Sequence, residues 1–229
     1  MMKNFKIVVL ALCALPIAAC SPKPGGGGGG TAGTGNPGGT LSSSGYQSAL
    51  SAVQGRGPTS DMPTTMNATF TGATRQDLRE TNGGAIVGEM MADLELTANW
   101  TDGQSTNPWS GKADNFRGSM NGQDYTLTGE LTVAAAEAKS LTSTIGRSAN
   151  TIALPTGGTT TVATGAAAVN LAGDVDDGSG TPHEVIMSLG GSFFGPQGTA
   201  ISGPATTQGF RAGGVRSDLI AAGDYYVER

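Results

Sequence analysis

Ala92-Asp93-Leu94-Glu95-Leu96-Thr97-Ala98-Asn99-Trp100 is the stretch that decides the fold class of this chain. Its apolar residues all fall on even numbers and its polar residues on odd ones. A helix would scatter both sets around its circumference, whereas a strand separates them onto two faces. The same period of two recurs on either side. Met66, Ala68 and Phe70 alternate with Asn67, Thr69 and Thr71. Tyr125, Leu127, Leu131 and Val133 alternate with Thr126, Thr128, Glu130 and Thr132. Further along come Thr160–Ala172, poor in large side chains, and Glu184–Gly195, where Val185, Met187, Leu189 and Phe193 share a face.

Turn chemistry falls between these runs: Asn82-Gly83, Asp102-Gly103, Asn121-Gly122, Gly157-Gly158 and Asp177-Gly178. Asn121-Gly122 is the strongest hairpin signal, since both residues tolerate the positive φ of a type I′ turn. Glu137–Arg147 opens like a short helix and returns to strand character at Thr142–Ile145. Seven or eight strands on short turns, without a long amphipathic helix, predict an all-β domain: a small antiparallel, eight-stranded up-and-down β-barrel over residues 61–229. Ala92, Ala98, Gly129, Ala166, Ala168 and Gly191 are assigned to its crowded inner face. A membrane-spanning barrel would need girdles of aromatic residues, and aromatics make up only 5% of the chain, so a water-facing barrel is expected.

Upstream of this domain the composition changes twice. Residues 21–60 hold 13 Gly and 4 Pro, with Lys23 and Arg56 as the only charges. Such a stretch buries too little apolar surface to offset its ordering entropy, so 20–60 is predicted to be a flexible tether. Within it, Tyr46–Val53 has the spacing for two helical turns with Leu50 and Val53 on one side. Residues 1–19 carry Lys3 and Lys6 ahead of an apolar run from Ile7 to Ala19. That run is too short to span a bilayer and ends in small residues, which is the pattern of a secretory signal peptide.

The end of that segment, Pro16-Ile17-Ala18-Ala19-Cys20, resembles the lipobox of bacterial lipoproteins. The resemblance implies cleavage before Cys20, a diacylglycerol on its sulfur and an acyl chain such as palmitate on its amine. Cys13 would leave with the signal, so Cys20 would be the single cysteine of the mature chain and no disulfide is possible. Ser21 follows in place of the aspartate that resembles an inner-membrane retention signal, so a lipid-anchored position at the cell outer membrane is expected.

A second resemblance lies near the C-terminus. Gly191-Ser192-Phe193-Phe194-Gly195-Pro196, with Gly203 beyond it, resembles the G-x-F-Y-G-P…A-x-E-x-x-G signature of the barrel domain in transferrin-binding protein B-like surface lipoproteins. Ala92–Met120, with Phe116-Arg117-Gly118, looks like that family's paired strands, and the likeness runs over residues 64–213 to Gly209-Phe210-Arg211. Ala200 stands near the usual acid, and the chain is too short for the two-lobed receptor component. The resemblance therefore implies a single-barrel relative that binds a protein or a nutrient, haem or iron-related ligand.

Charge and motif chemistry bound the alternatives. With 13 Lys+Arg against 18 Asp+Glu, and −9 over residues 61–229, no nucleic-acid partner is expected. His183 is the only histidine and follows loop chemistry at Asp177–Pro182, so it reads as an exposed loop residue rather than a metal or haem ligand. Asp174–Gly180 has acids in a calcium-loop style, but Gly178, Ser179 and Val185 occupy the positions where that loop needs an oxygen ligand, Gly and Glu. Asp93 and Glu95 share an outward strand face and read as solvating groups. Trp109, beside Pro108, is expected to be more exposed than Trp100, and Tyr225-Tyr226 lie near the end. No catalytic residue, metal set or cofactor is assigned. The resulting expectation is a monomeric, non-enzymatic binding module held to the outer membrane through Cys20. The alternative is a structural envelope-maintenance lipoprotein facing the periplasm.

Overall fold

Alternation on the scale of Ala92–Trp100 produces strands long enough to curl into a ring. The structure, a computed structural model, describes residues 42–211 and 219–229. The helix α1 (Ser43–Gln54) comes first, followed by strands β1 (Thr65–Arg79), β2 (Ile86–Thr101) and β3 (Trp109–Met120). Three short pieces follow, β4 (Gln123–Thr126), β5 (Thr128–Gly129) and β6 (Leu131–Thr132), and then the helix α2 (Val133–Ala138). The long strands resume as β7 (Thr144–Ala153), β8 (Thr159–Asp176), β9 (His183–Phe194), β10 (Ala200–Phe210) and β11 (Leu219–Glu228).

Each long strand pairs antiparallel with its sequence neighbour, and β1 pairs with β11 to join the two ends of the series. Between β3 and β8 the wall is the broken strand β4–β5–β6, bonded to β3 through β4 and β6 and to β8 through β5 and β6. Counted that way, the antiparallel ring has eight wall positions, as the alternation predicts. Its irregularity is concentrated at this broken position. There α2 interrupts the strand, and β7 continues along the far half of β8 as a hairpin that leaves the ring.

The even-numbered face of β2 is buried from Met90 to Trp100, and Phe70, Leu131, Leu171, Met187, Phe193 and Phe210 meet it in one interior core. Thr69, Thr97, Glu95 and Asn99 face outward. Apolar inside and polar outside is the reverse of a membrane-spanning barrel. Asn121 and Gly122 have φ of 50° and 79°, the positive pair that the type I′ turn requires.

Close approach explains the inward glycines. A Cβ on Gly72 would stand 2.0 Å from the Tyr226 carbonyl oxygen, and one on Gly223 would stand 2.1 Å from that of Arg75. Each lies on one side of the β1–β11 pairing and lets the neighbouring backbone bend inward across it. The ring closes through this bend.

Two expectations need correction. Ala166 and Ala168 are exposed on the outer face, and Ala163 and Ala167 line the interior instead. Small residues on both faces of this run hide its phase, which is fixed by Val169 and Leu171 further along. The flexible tether expected over 20–60 is also corrected at residues 42–60, which are part of the fold. Ser42 caps α1 by accepting a 3.2 Å hydrogen bond from the Gly45 N–H. Tyr46, Leu50 and Val53 then pack on Ala73, Met91, Ala200 and Tyr226 outside the ring. Residues 20–41 lie outside the described residues.

Candidate binding surface

Most of the residues singled out in the sequence are held in structural roles. Cys20 and the segment 1–19 lie outside the described residues. His183 is not in the loop: it opens β9 opposite Val175, is half-buried, and its Nε2 is buried without a hydrogen-bond partner among the described residues. The acidic turn beside it bonds to itself. Asp176 Oδ1 accepts from the N–H groups of Gly178 and Gly180 at 2.9 and 3.2 Å, and Asp177 Oδ1 accepts from that of Ser179 at 3.1 Å. The Ser179 bonds hold the Asp177 carboxyl below the usual carboxylate range. Among the described residues, no three His, Cys, Asp or Glu side chains converge as a metal site.

Asp93 and Glu95 both face outward. Asp93 accepts from Arg117 Nη2 at 2.9 Å and Asn115 Nδ2 at 2.7 Å. Trp100 and Trp109 are both buried, at 2% and 5% exposure; Trp109 is the more exposed of the two, as expected, but both belong to the core rather than to a loop surface. Trp109 points its indole N–H into the fold, donating to the Thr144 carbonyl at 3.1 Å. Phe193 lies in the core, Phe194 packs against the α1 cluster, and Tyr225 and Tyr226 divide in the same way. The Gly195-Pro196 turn closes this corner, with Thr59 Oγ1 donating to the Gly195 carbonyl at 2.7 Å.

The surface that none of these roles absorbs is the β7–β8 hairpin. It exists because α2 occupies the place where β7 would otherwise meet β3. Thr132 Oγ1 caps α2 by accepting from the Ala135 N–H at 3.1 Å, and Val133 and Ala136 are buried beneath it. Beyond α2, β7 bonds to β8 in unbroken register from Thr144↔Ala168 to Ala153↔Thr159, and no described strand pairs with its other edge. The tip is fixed by the Leu154 N–H donating to the Gly158 carbonyl at 3.0 Å, with positive φ at Gly157 and Gly158.

This arm is chemically unlike the rest of the surface. Between Lys139 and Asp174 the only charged residue is Arg147. Arg147 is tied to the root of the arm, donating from Nε to the Met62 carbonyl at 2.9 Å and lying 3.4 Å from Asp102. Ile152 and Leu154 at the far end are 50% and 42% exposed. At the root lies a shallow cleft of about 450 Å³, lined by Pro58, Thr59, Gly146, Arg147, Gly165 and Phe193 among others. The run gives a sequence signal only in retrospect: over 144–168, 19 of the 25 residues are Thr, Ser, Ala, Gly or Asn, and only Ile145, Ile152, Leu154 and Val162 are large and apolar. Comparison of the chain with family models, with curated proteins and with solved structures returned no match.

Proposed function

We propose that the chain is a non-enzymatic binding module, anchored to the outer membrane through lipid on Cys20 and facing its partner with the end of the ring that carries the β7–β8 hairpin. The observation that carries this reading is the hairpin itself: an arm whose one charge, Arg147, is tied down at its root and whose Ile152 and Leu154 are exposed, standing off a ring whose interior is filled by its own side chains. A filled interior leaves ligand capture to the exterior, and apolar residues exposed on a projecting arm are the feature that a partner contact uses. The resemblance of Gly191–Pro196 to transferrin-binding protein B-like lipoproteins supports a host protein or a nutrient, haem or iron-related ligand.

The test has two arms. In cells making the full chain, Cys20→Ala is expected to move the protein from the membrane to the soluble fraction, and protease added to intact cells is expected to remove the folded domain of the unaltered protein. Protection from protease in intact cells would instead favour the envelope-maintenance role. Haem is read separately by absorbance titration of the Cys20→Ala chain, and the absence of a Soret shift rules haem out as the ligand.

A further inference from the structure

We propose that β7 is the seat of a two-fold dimer, in which the free edges of two copies pair antiparallel and join the two hairpins into one sheet. This inference rests on the reading of the hairpin as a contact surface, names a second copy of this chain as its occupant, and does not depend on the anchor.

Unpaired edge strands normally carry protection against such pairing: a lysine, a proline, a bulge, or a short length. None of these protects β7. It runs ten residues, roughly 33 Å at strand rise, without a proline or a register shift, and its one charge, Arg147, is drawn towards Met62 and Asp102. The backbone phase is set by its neighbours. The Leu154 N–H bonds across to Gly158, and on β8 the Ala163 N–H and C=O bond away from β7, to Ser60 and Met62. By the alternation of an antiparallel ladder, even-numbered residues of β7 bond to β8, while Ile145, Arg147, Ala149, Thr151 and Ala153 turn their N–H and C=O groups outward. Exposed backbone of this kind is a template for another strand.

The edge is also complementary to itself. Pairing that uses its whole length is centred on Ala149, which then faces Ala149 of the second copy, while Arg147 faces Thr151 and Ile145 faces Ala153. No charge meets a like charge. On the adjoining face Ile152 comes opposite Gly146. Gly146 is where the arm has room, since a Cβ there would find no atom within 4 Å. The exposed isoleucine at each tip thus covers the bare glycine beside the cleft at the other root, and Leu154 comes against Thr144. A two-fold axis makes each of these contacts twice.

Sedimentation of the full chain carrying Cys20→Ala, which removes lipid-driven association, tests the proposal across a wide concentration range. A reversible dimer is expected. Ala149→Pro deletes an outward N–H that β8 does not use, so it is expected to give monomer with an unchanged circular dichroism spectrum. Ile152→Asp, at an exposed position, is expected to do the same and decides the question if the proline variant fails to fold. A chain that stays monomeric at every concentration overturns the proposal, and so does a dimer that survives Ile152→Asp in the folded protein.

Discussion

Tyr225 is 1% exposed and places its hydroxyl inside the ring without a partner among the described residues, against the inward Gly191 of β9, where an added Cβ would stand 2.9 Å from the oxygen. A desolvated hydroxyl that makes no bond costs about 1–3 kcal/mol relative to one that does. Tyr225→Phe keeps the ring and deletes that group, so urea unfolding of the variant is expected to give a stability about 1 kcal/mol above the parent. A loss of stability would mean that the hydroxyl is bonded. Tyr46 is the opposite case, because its hydroxyl donates to the Asp224 carbonyl at 2.6 Å and ties α1 to β11. The same residue type serves once as packing and once as a strap, and only the partner distinguishes the two.

At the scale of the element, the strands depend on backbone approach as much as on side-chain burial. Gly72 faces the Tyr226 carbonyl so closely that any Cβ must push β1 off β11. Gly72→Ala is therefore expected to cost about 3 kcal/mol, at the upper end of ordinary overpacking. Gly146→Ala, in open space on β7, is expected to stay within about 0.5 kcal/mol. Thermal or urea unfolding of the two variants side by side checks the contrast, and similar losses in both would refute the close-approach account. Strand identity was legible in the sequence wherever large residues marked one face, as in Ala92–Trp100. On β8 the strand itself was legible as the run Thr160–Ala172, but its phase was not, because Ala166, Ala167 and Ala168 carry none of their own. The α1 docking site did leave a trace. Met90-Met91-Ala92 and Tyr225-Tyr226-Val227 break the alternation with apolar residues on both faces, and the outward member of each, Met91 and Tyr226, is what α1 covers. Two helical turns taken alone gave no such reason to dock, because the cover is legible only from the strands beneath it.

For the whole molecule, the phenols set an alkaline limit. All four tyrosines have their ionisation pushed upward, chiefly by burial: Tyr46, Tyr125, Tyr225 and Tyr226. An unfolded tyrosine loses its proton near pH ~10. Above that pH the unfolded chain therefore binds fewer protons than the folded one, and stability falls as pH rises. The contribution is fully present below pH ~10 and is lost beyond it. Urea midpoints measured from neutral pH upward are expected to hold level and then drop steeply past that point; a flat profile would contradict the burial of these phenols. The candidate surface was the least legible part of the molecule. His183, Asp93 and Trp109 attracted attention by residue type, yet each is absorbed into the wall or the core. The projecting arm is built from residues that carry no chemical signal individually, and it becomes visible only when α2 is seen to displace β7 from the ring.

The position of α1 also determines how a load would enter this molecule. Among the described residues, any pull arriving along the chain from the N-terminal side enters first at Ser42. From there it passes through Tyr46, Leu50 and Val53 into β1, β2, β10 and β11, the strands on either side of the line where the first and last members of the ring join. The helix works as a clasp across that line. Tension on it is spread over four strands before it can part β1 from β11, and the element that yields first is one whose release leaves every rung of the ring in place.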